Sequence, residues 1–173
     1  MLKSLFRQRR SKAVAQRLYA AVVEQARTPA FYLTLGAPDT MEGRFELYSL
    51  HVILLLRRLN GQGPEAAEAA QALLDAYTSA LDYGLRESGV GDLSVPRRMR
   101  RLAEAVLGRA ASYDASLADD AALQALIGRT VFAGGAGPTA AMAAYVKCAS
   151  EALSAQPLET LLEGAVAWPE VAA

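Results

Sequence analysis

The residue types best suited to chemistry cluster in one stretch, Tyr83 to Arg101, which reads YGLRESGVGDLSVPRRMRR. Glu87 and Asp92 form a carboxylate pair of the kind used in acid–base work, but no nucleophile or metal shell assembles beside them. The segment GVGD, Gly89 to Asp92, resembles a phosphate-cradling loop only superficially. It follows no strand, joins helix to helix and lacks the Lys-Ser/Thr of a P-loop. A left-handed helix cap at Gly89 and a close helix approach at Gly91 account for the glycines. They do not account for Arg97, Arg98, Arg100 and Arg101, which fall in the first two turns of the next helix. Each arginine there opposes the helix dipole at a cost of a few tenths to about 1 kcal/mol. Such a conflict persists where nearby acids relieve it or a partner uses it.

A second group lies on one face of an otherwise apolar helix: Arg44, Tyr48, His51 and Arg58. Two readings stand side by side. The stripe is the floor of a recognition groove, with planar arginine donors and a histidine that reports pH. Alternatively, His51 is a satisfied core residue and the arginines pair with acids of neighbouring helices. His51 is the sole histidine, which excludes a multi-histidine zinc site or a bis-histidine haem within one chain. The sole cysteine, Cys148, excludes an internal disulfide and a multi-thiolate metal site. Its neighbours Ala144, Tyr145 and Ala149 predict a buried, inert thiol.

The elements that must position these groups are helical throughout. The chain has 173 residues, enough for one domain with a real core. Its hydrophobic share of 53% is swollen by alanine, a helix former. Net charge is zero, but residues up to Arg101 carry about five excess cations and the remainder an equal excess of acids, which suggests an anionic partner for the first half. The periodicity predicts helices over about Ser11 to Arg27, Thr40 to Leu59, Pro64 to Ser88, Val95 to Leu117, Asp120 to Phe132, Thr139 to Ala155 and Pro157 to Ala167. Asp39 and Glu42 have capping-box spacing, with Thr40 the alternative cap. The closing WPEVAA is expected to be loose. This is an all-α, single-domain bundle of six or seven helices: residues 11–173 form the domain, and residues 1–10 a basic, amphipathic tail that would suit an anionic bilayer. No stretch is long and apolar enough to cross a membrane, and the N-terminus lacks the apolar core of a secretory signal. A cytoplasmic location follows as the expectation, with peripheral attachment at the inner face of the membrane where the tail engages it.

Three segments together, RTPAFY (Arg27–Tyr32), GAPDTMEGRFELYSLHVILLLRRL (Gly36–Leu59) and LRESGVGDLSVPRRMRRLAEAVLGR (Leu85–Arg109), resemble the ubiquinol–cytochrome c chaperone family. The likeness covers about Tyr19 to Tyr113, and its motifs, PDTxxGRFELYxLH and LRExGVGDLSVP, are long and specific. It implies an all-helical, non-enzymatic and cofactor-free assembly factor for the cytochrome bc complex that binds newly made cytochrome b. The chain looks like a bacterial member. The resemblance also nominates a client-binding surface. Phe31 and Tyr32 would be aromatic anchors. Arg27, Arg44, Arg58, Arg86, Arg97, Arg98 and Arg101 would be donors, with Asp39, Glu87 and Asp92 holding arginines in place and His51 lining or buttressing the groove. Gly43, Gly89, Gly91 and Pro96 would set the backbone.

The rival reading is an RNA- or ribosome-binding module built on the arginine corner and the basic tail. Neutral overall charge and the lack of aromatics between the basic residues weigh against it. An enzyme would require Glu87, Asp92 and His51 to converge on a closed pocket, and no enzymatic activity is expected.

Overall fold

The computed structural model describes the backbone of residues 2–87 and 95–171, and the side chains of residues 10–84 and 104–171. Eight helical segments follow in chain order: α1 Leu2–Ala26, α2 Ala30–Leu33, α3 Met41–Leu59, α4 Pro64–Glu87, α5 Val95–Ser116, α6 Asp120–Arg129, α7 Thr139–Ala155 and α8 Leu158–Leu162. No strand occurs among the described residues. With the single turn α2 set aside, this is the predicted all-α architecture.

α3 is the centre. Leu47, Leu50, Val52, Ile53, Leu54, Leu55 and Leu59 leave it no dry face to spare, and α1, α4, α5 and α7 pack around it. Leu73 and Tyr77 of α4 and Val106 and Tyr113 of α5 are fully or almost fully buried.

Several boundaries differ from the sequence reading. α1 starts at Leu2, nine residues before the predicted Ser11, so the basic segment is helical and continuous with it; no breaker stands between Leu2 and Val14. The expected loop after Pro29 contains α2, since proline tolerates a helix start. The last helix is short because Gly164 turns left-handed at φ +83°, where an added Cβ would lie 2.6 Å from Arg17 Cβ. Beyond it, the described part of the closing segment, Trp168–Val171, is not loose: Trp168 and Val171 pack on the core, as does Val166 before them. Gln156 clamps the strap, donating to Ala167 O at 2.9 Å and accepting from Ala167 N at 2.8 Å. Cys148 is exposed rather than buried, because Tyr145 and Ala149 take the inward positions of α7.

A buried polar chain ties α1, α3, α7 and the strap together. His51 Nδ1 lies 2.7 Å from Leu47 O, an acceptor only, so Nδ1 carries the proton and donates. Nε2 therefore accepts from the Tyr145 hydroxyl at 2.7 Å. Gln25 donates to that hydroxyl at 3.0 Å and to Pro169 O at 3.2 Å. Phe31 meets His51 and Tyr145 edge-on, with centroids 5.4 and 4.8 Å away, and Trp168 stands against His51 at 4.9 Å. A cationic ring in this enclosure would lose its water without gaining an acid, so burial pushes His51 down to about 4.

That depression makes stability pH-dependent. Above pH 6.5 the ring is neutral in both states and costs nothing. Between pH 6.5 and about 4 the unfolded chain takes up a proton that the folded chain refuses, removing about 3 kcal/mol in all. Glu46, raised by burial, acts in the opposite direction in acid, because its folded form holds a proton longer. Denaturant unfolding of wild type and His51→Gln from pH 7 to pH 4 should show the wild type losing stability more steeply, with the gap closing as pH falls.

Candidate protein-docking site

Burial sorts the polar stripe of α3 into separate fates. His51 belongs to the core, with 0% exposure and both ring nitrogens engaged. Phe31 is likewise 0% exposed. Neither reaches a partner, so Phe31 is not a surface anchor and His51 is not a surface pH reporter. Both support the surface from below. Arg58 sits 14 residues from Arg44, about 21 Å along the helix axis. It caps α7, donating from Nε to Leu153 O and from Nη2 to Gln156 O, each at 2.9 Å. The requirement to satisfy terminal carbonyls of a helix explains its presence, and it does not join the other candidates.

The candidates that do converge are Arg27, Tyr32, Asp39 and Arg44, with Tyr48. Arg27 Nε donates to the Tyr48 hydroxyl at 3.0 Å. Tyr32 donates to Ala26 O at 2.8 Å, tying α2 to the end of α1. Arg44 Nε donates to Asp39 Oδ1 at 2.6 Å. Tyr32 is electrostatically coupled to Tyr48, Arg44, Asp39 and Arg27, and burial pushes its phenol up. The hydrogen bond from Arg44 holds the Asp39 carboxyl below the usual range, and Asp39 raises the guanidinium in return. The pair is open to water, its side chains 56% and 57% exposed.

Local chemistry fixes this rim. Thr40, not Asp39, is the N-cap of α3, its hydroxyl accepting from Gly43 N at 3.1 Å. Gly43 has a tighter reason to be glycine: a Cβ there would stand 2.0 Å from Pro38 O. The loop carrying Asp39 thus lies directly on the first turn of α3. Leu33 and Met41, 85% and 70% exposed, lie before and after Asp39 in sequence. Sequence reasoning passed over both. Periodicity identifies apolar residues that face inward; it has no signal for two that remain outside on a one-turn helix and a helix start.

Arg86, Glu87, Asp92, Arg97, Arg98 and Arg101 lie outside the residues whose side chains are described, as do the backbones of Gly89 and Gly91 and the side chain of Pro96. Further along α5, Arg109 pairs with Glu46 and covers the Phe45 ring at 5.6 Å. Tyr77 donates to Ser49, whose own proton goes to Phe45 O at 2.8 Å. An open groove of about 930 Å³ between α1 and α4 is lined by Lys12, Tyr19, Glu68 and Asp75 among others. It takes in none of the nominated residues. Among the described residues no cluster of three or more His, Cys, Asp or Glu suits a metal ion, and no helix is long and apolar enough to cross a membrane.

Comparison with known proteins agrees with the motifs. The family described as Ubiquinol-cytochrome C chaperone matches residues 33–168, and the chain belongs to it. The solved structure of the Cbp3 homolog from Brucella abortus is 34% identical, superposes with a TM-score of 0.87, and the match covers 99% of this chain and 98% of that one. Mouse ubiquinol-cytochrome c reductase complex assembly factor 1 is 26% identical over 122 residues, 70% of this chain. The match spans 41% of the mouse protein's length.

Gly43→Ala tests the construction of the rim. The methyl group must push the Pro38–Asp39 backbone off α3, and overpacking of this kind costs about 1–3 kcal/mol. Thermal or denaturant unfolding should register that loss, whereas Gly61→Ala, in open space at φ +72°, should show only its backbone penalty.

Proposed function

We propose that this chain binds newly synthesised cytochrome b and holds it for assembly into the ubiquinol–cytochrome c reductase complex, without ATP. Family membership supplies the assembly role. What supports the holding role is the surface around Asp39–Arg44, which gathers two arginines and two tyrosines, with two large, exposed apolar side chains, Leu33 and Met41, next to it in the chain. Arginine, tyrosine and methionine are the residues enriched where proteins bind proteins.

A membrane subunit exposes apolar helices and polar loops before its partners arrive. A holder that prefers this immature form to the assembled one shifts the population by differential affinity alone. No nucleotide is needed for that step. The arrangement also disfavours an enzyme, since His51 is sealed in the core with both nitrogens occupied. The chain's place would be the membrane surface facing the ribosome, reached through its client. The N-terminal basic segment of α1 adds a contact with anionic lipid.

Affinity purification of the tagged protein from solubilised membranes should recover cytochrome b, more when translation is active, and to the same extent with or without ATP depletion. Abundant recovered protein that never carries cytochrome b rules the role out. Recovery that tracks ribosomal RNA and disappears with nuclease treatment points instead to ribosome binding.

A further inference from the structure

We infer that Asp39 is an exchangeable stand-in for a carboxylate of the partner: an amphipathic protein segment lays its apolar side chains over Leu33 and Met41 and takes Arg44 from Asp39. The inference rests on the holding role above only for the partner's identity.

Four observations carry it. Arg44 meets Asp39 through Nε alone, so the contact leaves the terminal nitrogens of the guanidinium for a second acceptor. The pair is more than half exposed on both sides, and such pairs are weak enough to be swapped. Asp39 makes no capping hydrogen bond to the helix beside it, because Thr40 is the cap. Its backbone neighbour Pro38 is fixed against Gly43, so the carboxylate can leave without moving the loop. A partner that supplies a carboxylate replaces one charge by another at the same place and adds cover for Leu33 at 85% exposure and Met41 at 70%.

The alternative anionic occupant, a lipid headgroup, fits less well. Asp39 and Glu42 are both exposed at the start of α3 and offset Arg27 and Arg44 one for one. A bilayer surface selects net basic patches. A single carboxylate on a protein segment needs only a local exchange.

The test uses two fluorescent helical peptides with leucines along one face and one glutamate, replaced by glutamine in the control. Wild type should bind the glutamate peptide more tightly. Asp39→Asn, which removes the competitor, should tighten that binding up to about fivefold, the worth of a typical exposed pair. Arg44→Gln should abolish the difference between the two peptides, and Leu33→Ala with Met41→Ala should weaken both. All these positions are exposed, and circular dichroism checks that the fold is kept. Asp39→Asn loosening the glutamate peptide as much as Arg44→Gln does would make Asp39 a support and overturn the exchange. Equal binding of the two peptides to wild type would overturn it as well. So would an Arg44→Gln protein that keeps its preference for the glutamate peptide while losing co-sedimentation with phosphatidylglycerol vesicles, which assigns the arginine to headgroups. Loss of cytochrome b from membrane pull-downs with the peptide results intact would remove the holding role alone.

Discussion

Surrounding α3 with four other helices forces every polar atom along it either to find a partner inside the protein or to sit at an end. Leaving one buried and unpaired costs about 1–3 kcal/mol, and the helix carries Glu46, Ser49, His51 and Arg58 besides Arg44. Each inner group is answered by a different neighbour. Arg109 of α5 meets Glu46, Tyr77 of α4 meets Ser49, Tyr145 of α7 meets His51, and Arg58 itself meets the carbonyl end of α7. These pairings fix which helix lies on which side of α3 more tightly than leucine packing can. Apolar contacts tolerate sliding; a hydroxyl that must reach one ring nitrogen does not.

The consequence for the site is that the first turns of α3 stay open to a partner. Arg44 and Tyr48 sit where the surrounding helices give way to α2 and the Gly36–Asp39 loop. That loop is seated by backbone contact at Gly43 and by Ala37, which is buried in the core. The rim therefore combines a rigid support with groups that are cheap to rearrange. Phe31 shows the same economy from below: it packs edge-on against His51 and Tyr145, so the turn that presents Tyr32 and Leu33 is anchored in the polar core.

Much of this was legible in the sequence because it is periodic. The span of α7 and the proline start of α4 follow from spacing and helix-end chemistry, and the structure has both. The candidate site was half legible. RTPAFY and PDTxxGRFELYxLH brought Arg27, Tyr32, Asp39 and Arg44 to attention, and they do meet. What the motifs could not do was separate the residue that touches from the residue that supports. Phe31 and Tyr32 are adjacent letters, yet a one-turn helix sends the first into the core and leaves the second half-buried. His51 and Arg58 share a face with Arg44, but a face that is wet at one end is dry in the middle. The strap was illegible for another reason. WPEVAA has no period, and only the presence of His51 far back in the chain makes a seat for Trp168.

The balance of energies at the rim bears on how a holder of this kind would let go. Covering Leu33 and Met41 completely is worth about 3–6 kcal/mol for the two together. Ordering two molecules into one costs about 4–15 kcal/mol. The apolar part of the rim therefore does not retain a client by itself, and the arginine contacts decide whether binding occurs at all. An exposed charge pair contributes at most about 1 kcal/mol and weakens with salt, so several must act together and none is decisive alone. On the proposed reading this favours a client that is grasped while its own apolar surfaces lack partners and is released once those partners compete. On the same proposed reading, a deeper, drier pocket would hold more tightly and would then need an energy source to open, whereas a rim of exposed groups would not.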